Sequence, residues 1–458
     1  MLQTIGRTYR RVEGFLLLLV MLTAALGFAL VGMAARLQAG TPPLEGLLLD
    51  VLPVLPVALL LAGVHVVLNL RRSAADQLLL PLVGVIFATG IIMIWRLRGS
   101  EGVWQQVLRG FLPGALLLGA LIAYPQAVEF IRRWALAIAG VGLLLAFATA
   151  VFGQVDETGA RLSLKLGPLP AIQTSELIKL ALIIFLAWFI DREGEEVEGR
   201  ARPFLGFLRV PALRYFVPGI LFVGMATLAL VEMSDFGAVP ILGLIFVLML
   251  FSGFDTRTFA TIAAIGLVMA LLVGIVLAVA WTPPAHIQYR ILAFQDPWST
   301  EEIYFLGQPT GTTISEGPGY QIQQAIYAMI AGGISGTGLG FGSPQNIPLV
   351  STDFIYAAVL EELGAVVGIA LLVFYIILVL RILRNAAMLP RALVFERLLL
   401  AGIAIHFFTQ VFIMVGGTLN LIPMTGVTIP FLSLGGSALL TNLVEAGLVL
   451  AISQRLEV

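Results

Sequence analysis

Apolar runs of about 17–25 residues recur along the chain between short polar breaks, the length a helix needs to cross a bilayer. Twelve such runs stand at 14–35, 49–70, 77–95, 109–124, 134–153, 174–190, 214–231, 237–253, 259–281, 354–380, 395–416 and 432–453. The fourth and sixth are the shortest. This pattern predicts an all-α polytopic membrane protein with about twelve transmembrane helices. The largest connecting segment, 282–353, falls between helices 9 and 10. Connections of that size are usually functional or disordered. Its aromatics and its turns at Asp296-Pro297 and Gly317-Pro318-Gly319 favour a functional one. Within it, Gln321–Ala331 reads as a short amphiphilic helix suited to the membrane surface. No internal repeat or low-complexity tract is visible, so the chain reads as one membrane domain.

Composition supports this reading. Of 458 residues, 59% are hydrophobic and only 12% charged, against roughly 25% charged in a soluble domain. With no cysteine, disulfides, thiolate metal sites and cysteine nucleophiles are excluded. Three scattered histidines (His65, His286, His406) argue against a histidine metal cluster, and a balance of 26 basic to 27 acidic residues argues against nucleic acid as a partner. Eighteen of the 26 Lys and Arg lie in the N-terminus and alternate loops, seven lie on the opposite side, and Lys179 lies near a helix end. The positive-inside rule then places both termini in the cytoplasm and the 282–353 loop outside.

Chemistry-bearing residues concentrate around that loop. A glycine-dense stretch (Gly332 to Gly342) is followed by Ser351-Thr352-Asp353 and then by an apolar run carrying Glu361 and Glu362. Asp353 reads two ways. It is a first-turn acid in a helix capped by Ser351 or Thr352, or a general base beside backbone free to approach a ligand. Glu176 and Lys179, three apart at the start of a span, share a helix face. They are a mutual ion pair or a functional site, since ionisable groups at membrane depth are expensive. Glu232 and Asp235 lie between two spans as solvated punctuation or as carboxylate ligands for Mg²⁺ or Mn²⁺. Arg290 and Arg96 suit phosphate clamping, although a lone arginine at a membrane edge more often snorkels to headgroups. The glycine series is not a nucleotide-binding motif, because no strand precedes it. The polar, proline-broken segment 416–447 suggests a cavity lining.

Taken together, SELIK at 175–179, Arg290 with FQDP at 294–297, GYQ at 319–321, AGGISGTGLG at 331–340, STDFIYAAVLEELG at 351–364 and NLIPMTGVTIPFLSLGGSALLTNL at 420–443 resemble the SEDS family, represented by RodA, FtsW and SpoVE. The motifs occur in the family's order and span roughly 75–453. The resemblance implies a ten-helix core at 73–458, to which residues 1–72 add an N-terminal transmembrane pair. It further implies a peptidoglycan glycosyltransferase that polymerises lipid II on the outer leaflet of the bacterial cytoplasmic membrane, serving elongation, division or sporulation beside a class B penicillin-binding protein. The family's essential TDF aspartate falls on Asp353, and its SExxK pair falls on Glu176 and Lys179. Three departures stand out: Leu349-Val350 replace a usual Pro-Glu, Leu434 replaces a tyrosine, and Glu445 stands where an apolar residue is usual.

On this resemblance, Asp353 takes the proton of the attacking sugar hydroxyl. Arg290, Lys179, Glu176, Arg96, Gln321 and Thr352 are the expected substrate-binding residues. A divalent cation held near Glu232 and Asp235 is the cofactor to test, helping to neutralise a departing diphosphate. Two other readings remain open: a lipid II flippase or transporter, and a non-catalytic scaffold for the partner synthase.

Overall fold

A computed structural model describes residues 10–71, 73, 75–155, 161–165, 171–199, 202–204, 208–210, 217–254, 258–260, 285–305 and 308–457. In chain order the helices are α1 (Arg11–Gln38), α2 (Leu47–Val51), α3 (Val54–Leu70), α4 (Leu79–Gln106), α5 (Leu112–Ala123), α6 (Ala127–Arg133), α7 (Ala135–Phe152), α8 (Thr174–Gly199), α9 (Val217–Glu232), α10 (Ala238–Gly253), α11 (Ala285–Gln295), α12 (Pro318–Gly332), α13 (Ile355–Met388), α14 (Val394–Thr418) and α15 (Gly436–Ser453). The protein is a polytopic, all-α integral membrane protein. Helices dominate because a backbone crossing lipid must satisfy its own hydrogen bonds. Among the described residues, six helical stretches are long and apolar enough to cross a membrane, and α3, α9 and α10 are shorter apolar helices. Helix α8 covers the sixth expected span but begins with Glu176 and Lys179. The ninth, at 259–281, lies outside the described residues apart from its first two positions.

Small antiparallel strands punctuate the connections: β1 (Gln154–Val155), β2 (Arg161–Leu164) and β3 (Ile172–Gln173) form one sheet, β4 (Arg202–Phe204) pairs with β5 (Leu208–Val210), and β6 (Glu302–Phe305) pairs with β7 (Gln308–Thr313). The long loop thus has structure of its own: α11, a hairpin and α12. The surface helix read at Gln321–Ala331 is the body of α12.

The chain divides into two compact units. The first comprises 1–130, 321–390 and 410–458. Here α4 breaks at Gly99 (φ 59°, ψ −155°) and passes through a π-helical stretch, Val107–Phe111, into α5. Helix α15 lies against α5 and the π-helical stretch at glycines. A Cβ on Gly447 would come within 2.9 Å of Leu118 Cα, and one on Gly110 within 2.8 Å of the Gly436 carbonyl. Small residues let backbones approach in this way, and van der Waals contact then holds membrane helices together. Phe87 and Phe111 stack at 4.6 Å between ring centroids.

The second unit comprises 131–320 and 391–409. Helix α7 meets α8 where Gly142 leaves room for Ala181, and Thr174 Oγ1 is 2.9 Å from Thr149 Oγ1, both buried. Phe185 of α8 stacks on Phe222 of α9 at 5.0 Å. Gly402 of α14 sits over Ile183 and Met249, where an added Cβ would have no space.

Candidate functional site

In the first unit Asp353 stands at the end of a tight turn. Leu349 takes a left-handed conformation (φ 55°), uncommon for a residue with a branched side chain. Its carbonyl accepts the amides of Thr352 (3.1 Å) and Asp353 (2.9 Å), and the Thr352 hydroxyl at 3.1 Å. Helix α13 starts only at Ile355, and Phe354 at its N-cap makes no side-chain capping bond. Ser351 and Thr352 are therefore not caps. Their polar groups are used sideways, to hold the turn against another segment.

That segment is the proline-broken stretch before α15. Leu434 N–H donates to the Ser351 carbonyl (2.9 Å), while the Ser433 hydroxyl donates to the Thr352 carbonyl (2.7 Å) and accepts from Ile429 N–H (2.9 Å). Buried Gln106 then clamps both sides of Leu434: Nε2 donates to the Ser433 carbonyl (3.0 Å), and Oε1 accepts from Gly435 N–H (2.9 Å). Tyr375 of α13 donates to the Pro430 carbonyl (2.5 Å), and Gln410 of α14 to the Thr428 carbonyl (2.8 Å). Gly90 of α4 lets the Leu432 backbone pass so close that any side chain there would collide. Gly426 (φ 73°) underlies the carboxylate, since a Cβ on it would lie 3.3 Å from Asp353 Oδ2. Half-buried Asp353 thus rests on irregular backbone whose polar groups are tied down from three helices. Phe431 (φ 63°) joins Leu349 in left-handed geometry, and such strain persists only where surroundings over-determine it.

Gln106, Ser433 and Arg98, whose Nε lies 3.3 Å from Ser351 Oγ, were not singled out from sequence. Gln106 is fully buried, but in sequence it follows Arg96, Arg98, Ser100, Glu101 and Gln105, so nothing local sets it apart, and burial is not visible in sequence.

The glycine-dense loop packs backbone to backbone against α13. It wraps the break in α13 at Gly364 (φ 81°, ψ 171°). Thr337 N–H and Gly338 N–H donate to the carbonyls of Glu361 (2.9 Å) and Glu362 (3.0 Å), and Ala365 N–H donates to the Gly333 carbonyl (3.0 Å). The two carboxylates complete the wrap: Glu362 Oε2 accepts Gly340 N–H at 2.8 Å, and Glu361 Oε1 accepts Ser343 N–H at 2.7 Å. Arg96 joins from α4, with Nε 2.9 Å from Glu362 Oε1 and Nη2 3.0 Å from the Gly342 carbonyl. Here the glycines serve close approach of backbone to backbone. Gly336 (φ 82°) and Gly364 interlock with no room for a Cβ on either. Gln321 is half-buried on α12 in the same unit.

The second unit gathers a different set. Lys179 and Glu176 pair at 2.8 Å, and Lys179 is fully enclosed. Asp235, in the turn between α9 and α10, directs its carboxyl to the Ser175 hydroxyl and lies near the Lys179 charge, while Ala238 N–H donates to Oδ1 at 3.2 Å. Burial raises the Asp235 pKa, and the Ser175 bond, Lys179 and Ala238 offset part of that rise. Glu232 is exposed, so Glu232 and Asp235 offer a divalent cation one exposed carboxylate and one already hydrogen-bonded to Ser175 and to Ala238 N–H. That donor set does not fit a cation. Among the described residues no group of three His, Cys, Asp or Glu could hold a metal ion. Arg290 is exposed on α11.

A family model described as cell cycle protein, and built on FtsW, RodA and SpoVE, matches residues 73–457. The peptidoglycan glycosyltransferase RodA of Mycobacterium tuberculosis is 31% identical over 407 residues, covering 84% of this chain and 80% of that protein. A probable peptidoglycan glycosyltransferase FtsW of Alcanivorax borkumensis is 32% identical over 383 residues, covering 81% and 90%. A solved structure described as "Structural coordination of polymerization and crosslinking by a peptidoglycan synthase complex" superposes with a TM-score of 0.64 at 25% identity, covering 84% of this chain and 99% of that one. The crystal structure of Thermus thermophilus RodA shares the fold, with a TM-score of 0.56 at 24% identity and coverage of 84% and 98%.

Proposed function

The chain belongs to the FtsW/RodA/SpoVE family, and from that premise we propose that it is a peptidoglycan glycosyltransferase polymerising lipid II at the outer face of the bacterial cytoplasmic membrane. The observation that carries the mechanism is the anchored turn at Asp353, a carboxylate held on rigid backbone at the mouth of a long apolar helix. An acceptor sugar hydroxyl attacks the donor's anomeric carbon. The new C–O bond forms as the bond to the lipid diphosphate breaks, and Asp353 takes the hydroxyl proton. A positioned general base typically contributes 10²–10⁴-fold, and a neighbouring carboxylate also favours positive charge developing at the sugar.

Diphosphate leaves without a strong acid but needs its charge neutralised. Arg290, exposed on α11, is the cation we assign to it. We assign the half-buried polar residues Gln321 and Thr352 to sugar binding. Arg96 and the Glu176–Lys179 pair shape their units from inside, through the contacts above. Residues 73–458 form the catalytic core and 1–72 an added transmembrane pair, with both termini cytoplasmic by the charge asymmetry. A class B penicillin-binding protein is the partner we propose for crosslinking the strands.

The test is the purified full chain with fluorescent lipid II, with and without a class B penicillin-binding protein and Mg²⁺ or Mn²⁺. Glycan ladders from the wild type and none from Asp353→Asn are expected, with folding and partner binding retained by the variant. Ladders at wild-type level from Asp353→Asn would overturn the base assignment. Lipid II crossing liposome leaflets with no ladder under any condition would favour a flippase.

A further inference from the structure

Helix α1 lies outside the matched 73–457 stretch, yet it touches the loop that leads to Asp353. Gln38, in the last turn of α1, donates Nε2 to the Gly340 carbonyl at 2.9 Å. Ala34, one turn earlier and 2% exposed, lies against Gly340 (φ 88°) so closely that any side chain at 340 would collide with its methyl. The N–H of the same residue is the one held by Glu362 Oε2. Gly340 is therefore gripped from two sides, by α1 on its carbonyl and by α13 on its amide. Two residues on, Arg96 holds the Gly342 carbonyl. Trp95, its neighbour on α4, stacks on Phe28 of α1 at 5.4 Å. From there Ser343 N–H is fixed by Glu361, and a short 3-10 turn (Pro344–Asn346) leads to Leu349 and the Asp353 turn.

The opposite end of α1 is fastened as well. Buried Arg10 pairs with Glu13 and donates Nη1 to the carbonyls of Ser73 (2.9 Å) and Ala75 (2.6 Å). Glu13 also lies 2.6 Å from His65 of α3. Asp76, next along, takes a two-pronged pair from Arg381 near the far end of α13, at 2.6 and 2.7 Å. Helix α1 and helix α13 are thus joined at both ends, and the outer join runs through Gly340.

From this we infer that Gln38 and Ala34 are positioning residues for the transferase: α1 braces the glycine loop against Glu362 and so sets where Asp353 stands. The activity arm of this proposal rests on the function proposed above; its structural arm does not.

The experiment uses the full chain and compares Gln38→Leu, which removes the donor, with Gln38→Lys, which keeps one at similar reach. Ala34→Leu, which overfills the contact from the other side, is the third variant. Two readouts are taken: lipid II turnover separated into kcat and KM, and amide hydrogen exchange across 336–353. Gln38→Leu is expected to lower kcat roughly two- to ten-fold, the size of one net hydrogen bond, at unchanged KM. Exchange should rise at Gly338–Ile347 and stay unchanged in α15. Gln38→Lys is expected to restore both. Ala34→Leu should raise exchange over the same residues, and if it does not fold, the Gln38 pair decides alone. Wild-type kcat and exchange in Gln38→Leu, or a loss that Gln38→Lys does not restore, would overturn the proposal. Wild-type protein without polymerase activity would instead count against the function proposed above, and the exchange comparison would still decide the bracing.

Discussion

Glu362→Gln strikes the join between the glycine loop and α13. The side chain is buried and accepts two bonds, from Arg96 Nε at 2.9 Å and from Gly340 N–H at 2.8 Å. A hydrogen bond to a charged group is worth about 1.5–3 kcal/mol and a neutral one about 1 kcal/mol. Glutamine keeps one acceptor oxygen but turns an NH₂ group toward the other donor. One charged bond is lost and the second becomes ordinary, which removes roughly 2–5 kcal/mol. Arg96 keeps 18% of its side-chain surface exposed, so water recovers part of this and the lower end, about 2–3 kcal/mol, is expected. At about 2–4 °C per kcal/mol for a cooperative unit of about 150–250 residues, the melting temperature should fall by roughly 4–12 °C. The assay is fluorescence-detected thermal unfolding in detergent, run as a cycle with Arg96→Met. Each single substitution leaves the other partner uncompensated, so the double variant should be less destabilised than the sum by about 1.5–3 kcal/mol. A Glu362→Gln protein melting within a degree of wild type, or an additive cycle, would refute this account of the pair.

Gln106→Leu should strand the Ser433 carbonyl and the Gly435 N–H in a dry interior at about 1–3 kcal/mol each. It should lower both the melting temperature and the polymerisation rate, and an unchanged melt would argue that the clamp is not holding. Asp353→Asn should abolish glycan ladders while leaving the melt in place, as gel electrophoresis of reaction products will show. Asp235 has a folded-state pKa raised by burial above its ordinary 3.8. Its contribution to stability is therefore fully present below that ordinary value and is lost as pH rises through the raised one. Asp235→Asn cannot ionise, so the gap between variant and wild-type melting temperatures should move in the variant's favour as pH rises across that window. A pH-independent gap would show that Asp235 does not titrate there.

The membrane class was written plainly in the chain. Run length and charge asymmetry are local properties, and each expected span with described residues is met by helix, although α3, α5, α9 and α10 are shorter than a full crossing and the third and fourth spans run as one helical stretch, Leu79–Ala123. The i,i+3 pairing of Glu176 and Lys179 was equally legible, because helical spacing alone puts the two on one face. The motifs around Asp353 also pointed to the turn that the structure pins against the stretch before α15.

The partners of those residues were not legible. Ser351 and Thr352 read as caps because local sequence favours that use of a hydroxyl beside a helix start. The structure spends their carbonyls on Ser433 and Leu434, some eighty residues away. Arg96 read as a phosphate clamp or a snorkelling arginine, and its partner Glu362 lies 266 positions further on. Asp235 became the companion of Lys179 only when the turn before α10 was folded against α8. Sequence by itself determined the helices, the bilayer and the candidate carboxylates, because these follow from hydropathy and from spacing within a few residues. Only the tertiary structure decided that the glycine loop meets the α13 break, and that α1 reaches Gly340. A glycine's freedom is local, whereas the backbone that comes to fill the space it leaves is chosen by packing between segments hundreds of residues apart.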